Sequence, residues 1–402
     1  MRRVLTAAAV TLAVAGCGAG HSVTISVTPR RSAEYQPVDV RISGLQPGEQ
    51  VTLAVTSTDA AGVRFASSAS FRAGSNGRID LAKTAWPMGL LAKMTATTGP
   101  NPAFYSFGAG DRDFRVTTRA AGRTLATATF VRAASLVPLT TRSLTVARDG
   151  FQGVLAAPKD ARRLPAVLEL GGSEGGPGRA ATGLAANGLA VLSVGYFAAP
   201  GLPRYLHDIP LEYFRKALVW LEQQPQVDPA RVTVMGTSYG SEAALLLGAH
   251  YPKLVHAVAA IATGSVSTCG ITGAHGLSCL GAAWTFRGKP VPYTRQWDNP
   301  HPTDDPAAVI PVERIRGPVF LTCGGLDQVW SSCRYARAIV ARLKAHASPY
   351  PTTLNEYPGA SHYGAQVYRY WPGALGYDVF VPGDERARER LWPDAIAFLK
   401  RG

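Results

Sequence analysis

One pentapeptide constrains this chain more than any other feature: Gly236-Thr237-Ser238-Tyr239-Gly240, which fits G-x-S-x-G. The β-branched run Arg231-Val232-Thr233-Val234-Met235 leads into it, and a helix-forming run over 239–249 leads out. A strand that turns into a helix so abruptly needs small residues on both flanks, and the turn leaves a serine hydroxyl exposed at the carboxyl end of a sheet. The pentapeptide alone is a weak signal, since a capping serine in a Gly-rich turn also fits it. Its strand-turn-helix setting gives it weight.

The surrounding pattern supplies that setting. Residues 166–170 read as a buried strand ending in Gly171-Gly172-Ser173-Glu174-Gly175-Gly176, and 190–194 as the next strand. Apolar residues recur at helical spacing over 212–223, a further strand is expected at 318–323, and a helix follows from about 331 to 345. This alternation predicts a doubly wound, mostly parallel sheet of the α/β-hydrolase type. The segment 264–311, rich in Gly, Pro and aromatics (Trp284, Phe286, Tyr293, Trp297), is too long for a plain connection and reads as a cap. Upstream, from Ser22 to about Ala134, the period is two instead. Val23-Thr24-Ile25-Ser26-Val27, Val38-Asp39-Val40-Arg41-Ile42 and Val51-Thr52-Leu53-Ala54-Val55 alternate between Gly/Pro turns and predict a smaller all-β sandwich. The expected organisation is a signal peptide over 1–16, a sandwich over 17–135 and a catalytic domain over 136–402.

A serine attacks a carbonyl only when a base takes its proton, and the base needs a carboxylate to hold its tautomer. In this fold the chain order is Ser, then Asp or Glu, then His. His362 lies in the Gly-rich stretch Pro358-Gly359-Ala360-Ser361-His362, after the strand-like run 352–357, and is the expected base. His301 in the cap is its rival. Asp327 follows the strand at 318–323 through Gly324-Gly325-Leu326 and is the expected acid. Asp298, Asp304 and Asp305 suit turn caps, whereas Asp378, Asp384 and Asp394 follow His362 and fall in the wrong order. Two backbone donors must face the developing oxyanion. The Tyr239 N–H is one; Ser173 is the choice for the other, with Gly172 and Glu174 as alternatives. The glycine run lacks the Lys-Ser/Thr of a phosphate loop and the spacing of a dinucleotide site, so no nucleotide is expected; no cysteine sits in a CxxC, so zinc is not expected either, and no other cofactor is called for.

These segments resemble one family. His207-Asp208-Ile209-Pro210-Leu211-Glu212-Tyr213-Phe214, Trp220-Leu221 and Gly236-Thr237-Ser238-Tyr239-Gly240-Ser241-Glu242-Ala243-Ala244-Leu245 are similar to the carboxyl-terminal domain of the acyl-CoA thioesterase / bile acid-CoA:amino acid N-acyltransferase family. Phe71-Arg72-Ala73, Gly77-Arg78-Ile79-Asp80-Leu81 and Met88-Gly89-Leu90-Leu91-Ala92-Lys93-Met94 resemble its amino-terminal domain. The resemblance spans nearly the whole chain after Cys17. It implies a β-sandwich beside an α/β-hydrolase domain, with Ser238, Asp327 and His362 as the triad. Members that transfer acyl groups to amino acids tend to carry cysteine at the nucleophile, so serine here implies hydrolysis. Tyr239 stands where many relatives have lysine, which puts an aromatic at the expected rim of the site.

Composition narrows the setting. With 46% hydrophobic and 17% charged residues the chain is not intrinsically disordered, and no apolar run reaches the ~20 residues of a membrane span. The net charge is +14, yet the basic residues are scattered and never interleaved with stacking aromatics, so nucleic acid is not an expected partner. Met1-Arg2-Arg3, a short apolar run and Val14-Ala15-Gly16-Cys17 resemble a bacterial lipoprotein signal, which implies lipidation of Cys17 and attachment to the outer face of the cell membrane. Export leaves Cys269, Cys279, Cys323 and Cys333 as an even set. Of the three connectivities, the local one pairs Cys269 with Cys279 and Cys323 with Cys333. The leading expectation is an exported serine hydrolase acting on a small acyl ester or thioester. The alternatives are an acyltransferase with an amine or alcohol acceptor, and a surface binding lipoprotein with a disused hydrolase fold.

Overall fold

Hydrophobic period divides the chain, and the structure divides with it, between Ala134 and Ser135. The computed structural model describes residues 22–85, 87–98, 105–108, 110–178, 180–272, 278–366 and 381–402. The expected signal and Cys17 lie outside them. Among the described residues no helix is long and apolar enough to cross a membrane.

The first unit is built from two sheets. One places Arg31–Ala33, Arg123–Ala133, Arg112–Ala120, Gln50–Thr58, Arg64–Arg72 and Thr95–Ala96 side by side in that order; the other joins Thr24–Thr28, Asp39–Ser43 and Ile79–Asp80. Pairing is antiparallel except between Arg31–Ala33 and Arg123–Ala133. Along Gln50–Thr58 the alternate residues Val51, Leu53, Val55 and Ser57 are buried, as a half-covered antiparallel strand requires. Phe114 sits directly across from Phe130, their rings 5.4 Å apart, and Tyr105 packs against Phe65 and Phe107 at 5.1 and 4.8 Å.

In the second unit eight strands form one sheet. They are β1 (Leu139–Leu144), β2 (Gln152–Pro158), β3 (Leu164–Leu170), β4 (Ala190–Gly195), β5 (Val227–Thr237), β6 (Ala257–Ile261), β7 (Val319–Gly324) and β8 (Thr352–Tyr357). Their order is β1-β2-β4-β3-β5-β6-β7-β8, antiparallel up to β4 and parallel from there on. This is the α/β-hydrolase architecture. Every residue of β4, β6 and β7 is buried, as in a parallel sheet covered on both faces. Its α-helices of five residues or more are α1 (Ala181–Ala185), α2 (Leu211–Glu222), α3 (Tyr239–His250), α4 (Ser332–Ala345) and α5 (Gly383–Leu399) among the described residues. Helix α2 turns Leu211, Phe214, Ala217, Leu218 and Leu221 inward, whereas α3 is buried from Tyr239 through Ala249. Because β5 to β8 are parallel, their carboxyl ends share one edge of the sheet.

One expected disulfide forms and one does not. Cys323, in β7, is bonded to Cys333, in the first turn of α4. Cys269 and Cys279 are free thiols. Backbone pairing sets Ala282 opposite Cys269, and Gly270 N–H donates to Gly281 O (2.8 Å) and Leu280 N–H to Gly270 O (2.9 Å). Burial, then contact with Cys279, pushes the Cys269 thiol up to about 12.

Candidate active site

The turn from β5 into α3 is as tight as the pentapeptide requires. A methyl group on Gly236 would lie 1.8 Å from Gly240 O, and one on Gly240 would lie 2.2 Å from Gly171 O. Neither position has room for a side chain. Ser238 itself takes φ 56° and ψ −123°, a conformation that costs a non-glycine residue roughly 1–3 kcal/mol. Its N–H donates to Ile261 O at 2.9 Å, tying the turn to the end of β6.

Two neighbouring loops supply the other side chains. Asp327 Oδ2 lies 2.8 Å from His362 Nδ1, with the side chains 1% and 4% exposed. Asp327 Oδ1 accepts from Val329 N–H (2.9 Å) and Trp330 N–H (3.1 Å), so both carboxylate oxygens are engaged. The loops are joined through Gly325 N–H to Tyr357 O (2.9 Å) and Leu326 N–H to Ala360 O (2.8 Å), while Cys323–Cys333 brackets the loop that carries Asp327. The Trp330 ring contacts His362 at 5.7 Å and Tyr239, the residue after Ser238, at 5.9 Å. Ser238, Asp327 and His362 thus occupy the carboxyl edge of β5, β7 and β8. His301 is exposed in a turn, its N–H donating to Asn299 Oδ1. Asp298 accepts from Ser331 N–H and Asp305 caps a short 3-10 turn, as the sequence suggests.

Of the oxyanion candidates, the Tyr239 N–H belongs to the first turn of α3, where backbone donors have no partner within the helix. Its side chain is not at a rim. The ring is buried, its hydroxyl donates to Cys269 O at 2.9 Å, and burial holds the phenol well above its ordinary range. Gly172 N–H donates to Glu174 Oε2 at 3.0 Å and is therefore engaged within its own loop. Among the described residues no protein acceptor takes the Ser173 N–H.

Among the buried charged groups without an expected role are Glu242, Asp384 and Arg388. Glu242, one turn into α3, accepts from Thr268 N–H (3.0 Å), Thr268 Oγ1 (2.7 Å) and Trp284 Nε1 (3.1 Å), fastening the segment 264–311 to the helix after Ser238. Burial pushes its carboxyl up to about 7 against the pull of those donors. Asp384 accepts from Ser361 N–H (2.7 Å) and Ser361 Oγ (2.8 Å), and Arg388 donates to Tyr363 O at 3.1 and 2.9 Å. Helix α5 therefore grips the residues on both sides of His362. A lone acid in the apolar run 242–247 was a readable signal for Glu242. Nothing local marked Asp384 or Arg388.

Comparison with known proteins follows the same division. Residues 35–143 match the N-terminal region of acyl-CoA thioester hydrolase/BAAT, and residues 209–369 match the BAAT/acyl-CoA thioester hydrolase C-terminal family. Acyl-coenzyme A thioesterase 6 of Mus musculus is 30% identical, over 93% of this chain and 94% of its own. Acyl-coenzyme A amino acid N-acyltransferase 1 of Mus musculus is 25% identical, over 94% and 97%. The solved structure of a hyperthermophilic esterase from the archaeon Pyrobaculum calidifontis covers 65% of this chain and 85% of its own, with a TM-score of 0.43 and 18% identity. With both domains matched in order and a 30% relative aligned nearly end to end, this chain belongs to the acyl-CoA thioesterase / bile acid-CoA:amino acid N-acyltransferase family.

Proposed function

We propose that this protein is an exported serine hydrolase that cleaves an ester or thioester through an acyl-enzyme on Ser238. Its family and fold are those of ester and thioester hydrolases. The observation that carries the rest is the buried Asp327–His362 pair at 2.8 Å, at the same sheet edge as the Ser238 turn. Asp327 accepts from Nδ1–H and thereby leaves Nε2 free to act as a base. Ser238 Oγ attacks the carbonyl carbon while His362 takes its proton. The oxyanion faces the N–H groups of Tyr239 and Ser173. Collapse breaks the bond to the leaving group, which takes the proton from His362 and departs as thiol or alcohol. Water then repeats the sequence on acyl-Ser238, giving the carboxylic acid and restoring the hydroxyl.

An amine or alcohol acceptor in place of water would make the protein an acyltransferase, and an amino acid N-acyltransferase is among its relatives. Serine at the nucleophile favours water. A disused fold would not be expected to keep both oxygens of Asp327 engaged and His362 held on both flanks. The export reading rests on Val14-Ala15-Gly16-Cys17, and the Cys323–Cys333 bond suits an oxidising compartment. Outside the cell membrane the enzyme would not meet acyl-CoA, so simple thioesters should be hydrolysed at least as efficiently as acyl-CoA of matched chain length. Measuring kcat/KM for such a pair, with free CoA as inhibitor and amines as acceptors, tests this. A large preference for acyl-CoA with tight inhibition by CoA would overturn the substrate reading, and amide product in place of free acid would overturn hydrolysis.

A further inference from the structure

The loop after β3 carries a carboxylate that this mechanism leaves unused. Glu174 folds back over its own loop: Oε2 accepts from Gly172 N–H at 3.0 Å, and a methyl group on Gly171 would lie 2.8 Å from Oε1. Gly172 is also the backbone that meets the nucleophile turn. A methyl group there would lie 3.0 Å from Glu174 Oε2, 3.1 Å from Ser238 Cβ and 3.3 Å from Thr237 O. The carboxylate and Ser238 therefore border the same glycine. Glu174 is exposed, so its charge is within reach of a bound molecule. Its field extends to the loop of the expected base as well. After burial, the charges of Asp327 and Glu174 hold the phenol of Tyr363, next to His362, above its ordinary range.

We propose that Glu174 is a specificity-determining residue that disfavours substrates carrying negative charge close to the reacting carbonyl and favours neutral or cationic ones. A fixed carboxylate a few ångströms from the reaction centre repels a second anion and attracts a cation, and screening by salt weakens both effects. The inference rests on Ser238 being the nucleophile. A loop brace is the competing role, and the two separate cleanly. The amide of Glu174→Gln would offer the same carbonyl acceptor to Gly172 N–H without the charge.

The test compares three butyryl thioesters that differ in the leaving thiol: cationic butyrylthiocholine, neutral S-butyryl-N-acetylcysteamine and anionic S-butyryl-3-mercaptopropionate. For the wild type, kcat/KM should fall in that order. Glu174→Gln should lower the cation-to-anion ratio about tenfold. In the wild type, about 1 M NaCl, where the Debye length is about 3 Å, should shrink the ratio in the same direction. The salt comparison needs no variant, so a ratio indifferent to salt overturns the proposal even if Glu174→Gln folds poorly. A ratio indifferent to salt, or unchanged in a folded variant, would overturn the specificity role and leave the hydrolase reading intact. A wild type inert toward all three thioesters and toward a fluorophosphonate would overturn the hydrolase reading, and this proposal with it.

Discussion

The two units bury polar groups toward different ends. Before Ala134, buried Arg132 donates to Glu34 O, Gln36 O and Ser32 Oγ, and Asp59 accepts from Ala61, Val63 and Ser106 N–H. These groups close turns inside a hydrophobic sandwich. After Ser135, buried Asp327, His362, Asp384 and Arg388 all meet on the loops that leave β7 and β8, while Glu242 braces the helix that leaves β5. The buried groups named in the first unit satisfy turns and strand ends; those named in the second hold the residues of the proposed site. The first should therefore answer to stability and the second to rate.

The largest expected effect lies at the carboxyl edge of the sheet. Ser238→Ala or His362→Ala should lower kcat/KM for a simple ester by on the order of 10⁴-fold or more, and Asp327→Asn by somewhat less, with little change in the unfolding midpoint. Steady-state kinetics beside thermal melts would show this. Near-wild-type turnover of His362→Ala would redirect the search for a base to His301. In the first unit the balance of effects reverses. Phe114→Ala empties the space among Tyr105, Phe107 and Phe130 and should cost about 3–5 kcal/mol in urea unfolding, while activity per folded molecule stays within about twofold. A collapse of activity in folded Phe114→Ala would break the contrast.

Glu242 sharpens the contrast from inside the second unit. Folding raises its carboxyl from 4.5 to about 7, so the folded chain binds an extra proton between those values. Stability should therefore fall as pH rises through that window, by about 3 kcal/mol in all, and Glu242→Gln should remove that part of the slope. Denaturation curves across the window measure the difference, and parallel slopes for wild type and variant would contradict it. The Cys323–Cys333 bond should matter least. Its sequence separation of 10 corresponds to about 2–3 kcal/mol on the loop-entropy model, which Cys333→Ser should lose. Unfolding with and without reductant provides the check.

What the sequence made legible was local. The pentapeptide, the strand before it and the glycine-rich stretches around Asp327 and His362 are short-range patterns, and helix α2 begins at Leu211, one residue ahead of its expected start. Strand β6 escaped because the five residues AVAAI fit a buried helix as well as a strand. Strands β1 and β2 escaped because β1 is mostly exposed and polar, LTTRSL, and is recognisable only by its antiparallel partner. The small residues of Arg64–Arg72, RFASSASFR, hid a strand of the first unit in the same way. Cysteine spacing treated both pairs alike, but Cys269 and Cys279 meet as free thiols while Cys323 and Cys333 are bonded. Asp384 and Arg388 lie more than 20 residues beyond the histidine loop they hold, and only the packing of α5 brings them there.

The central claim is that Ser238 carries the acyl group. Intact-mass and peptide mapping after treatment with a fluorophosphonate tests it most directly, since the reagent needs a serine activated by its base. One adduct per wild-type molecule, mapped to Ser238, is expected, with no adduct on Ser238→Ala and strongly slowed labelling of His362→Ala. Stoichiometric labelling at another residue, or labelling undiminished in Ser238→Ala, would contradict it.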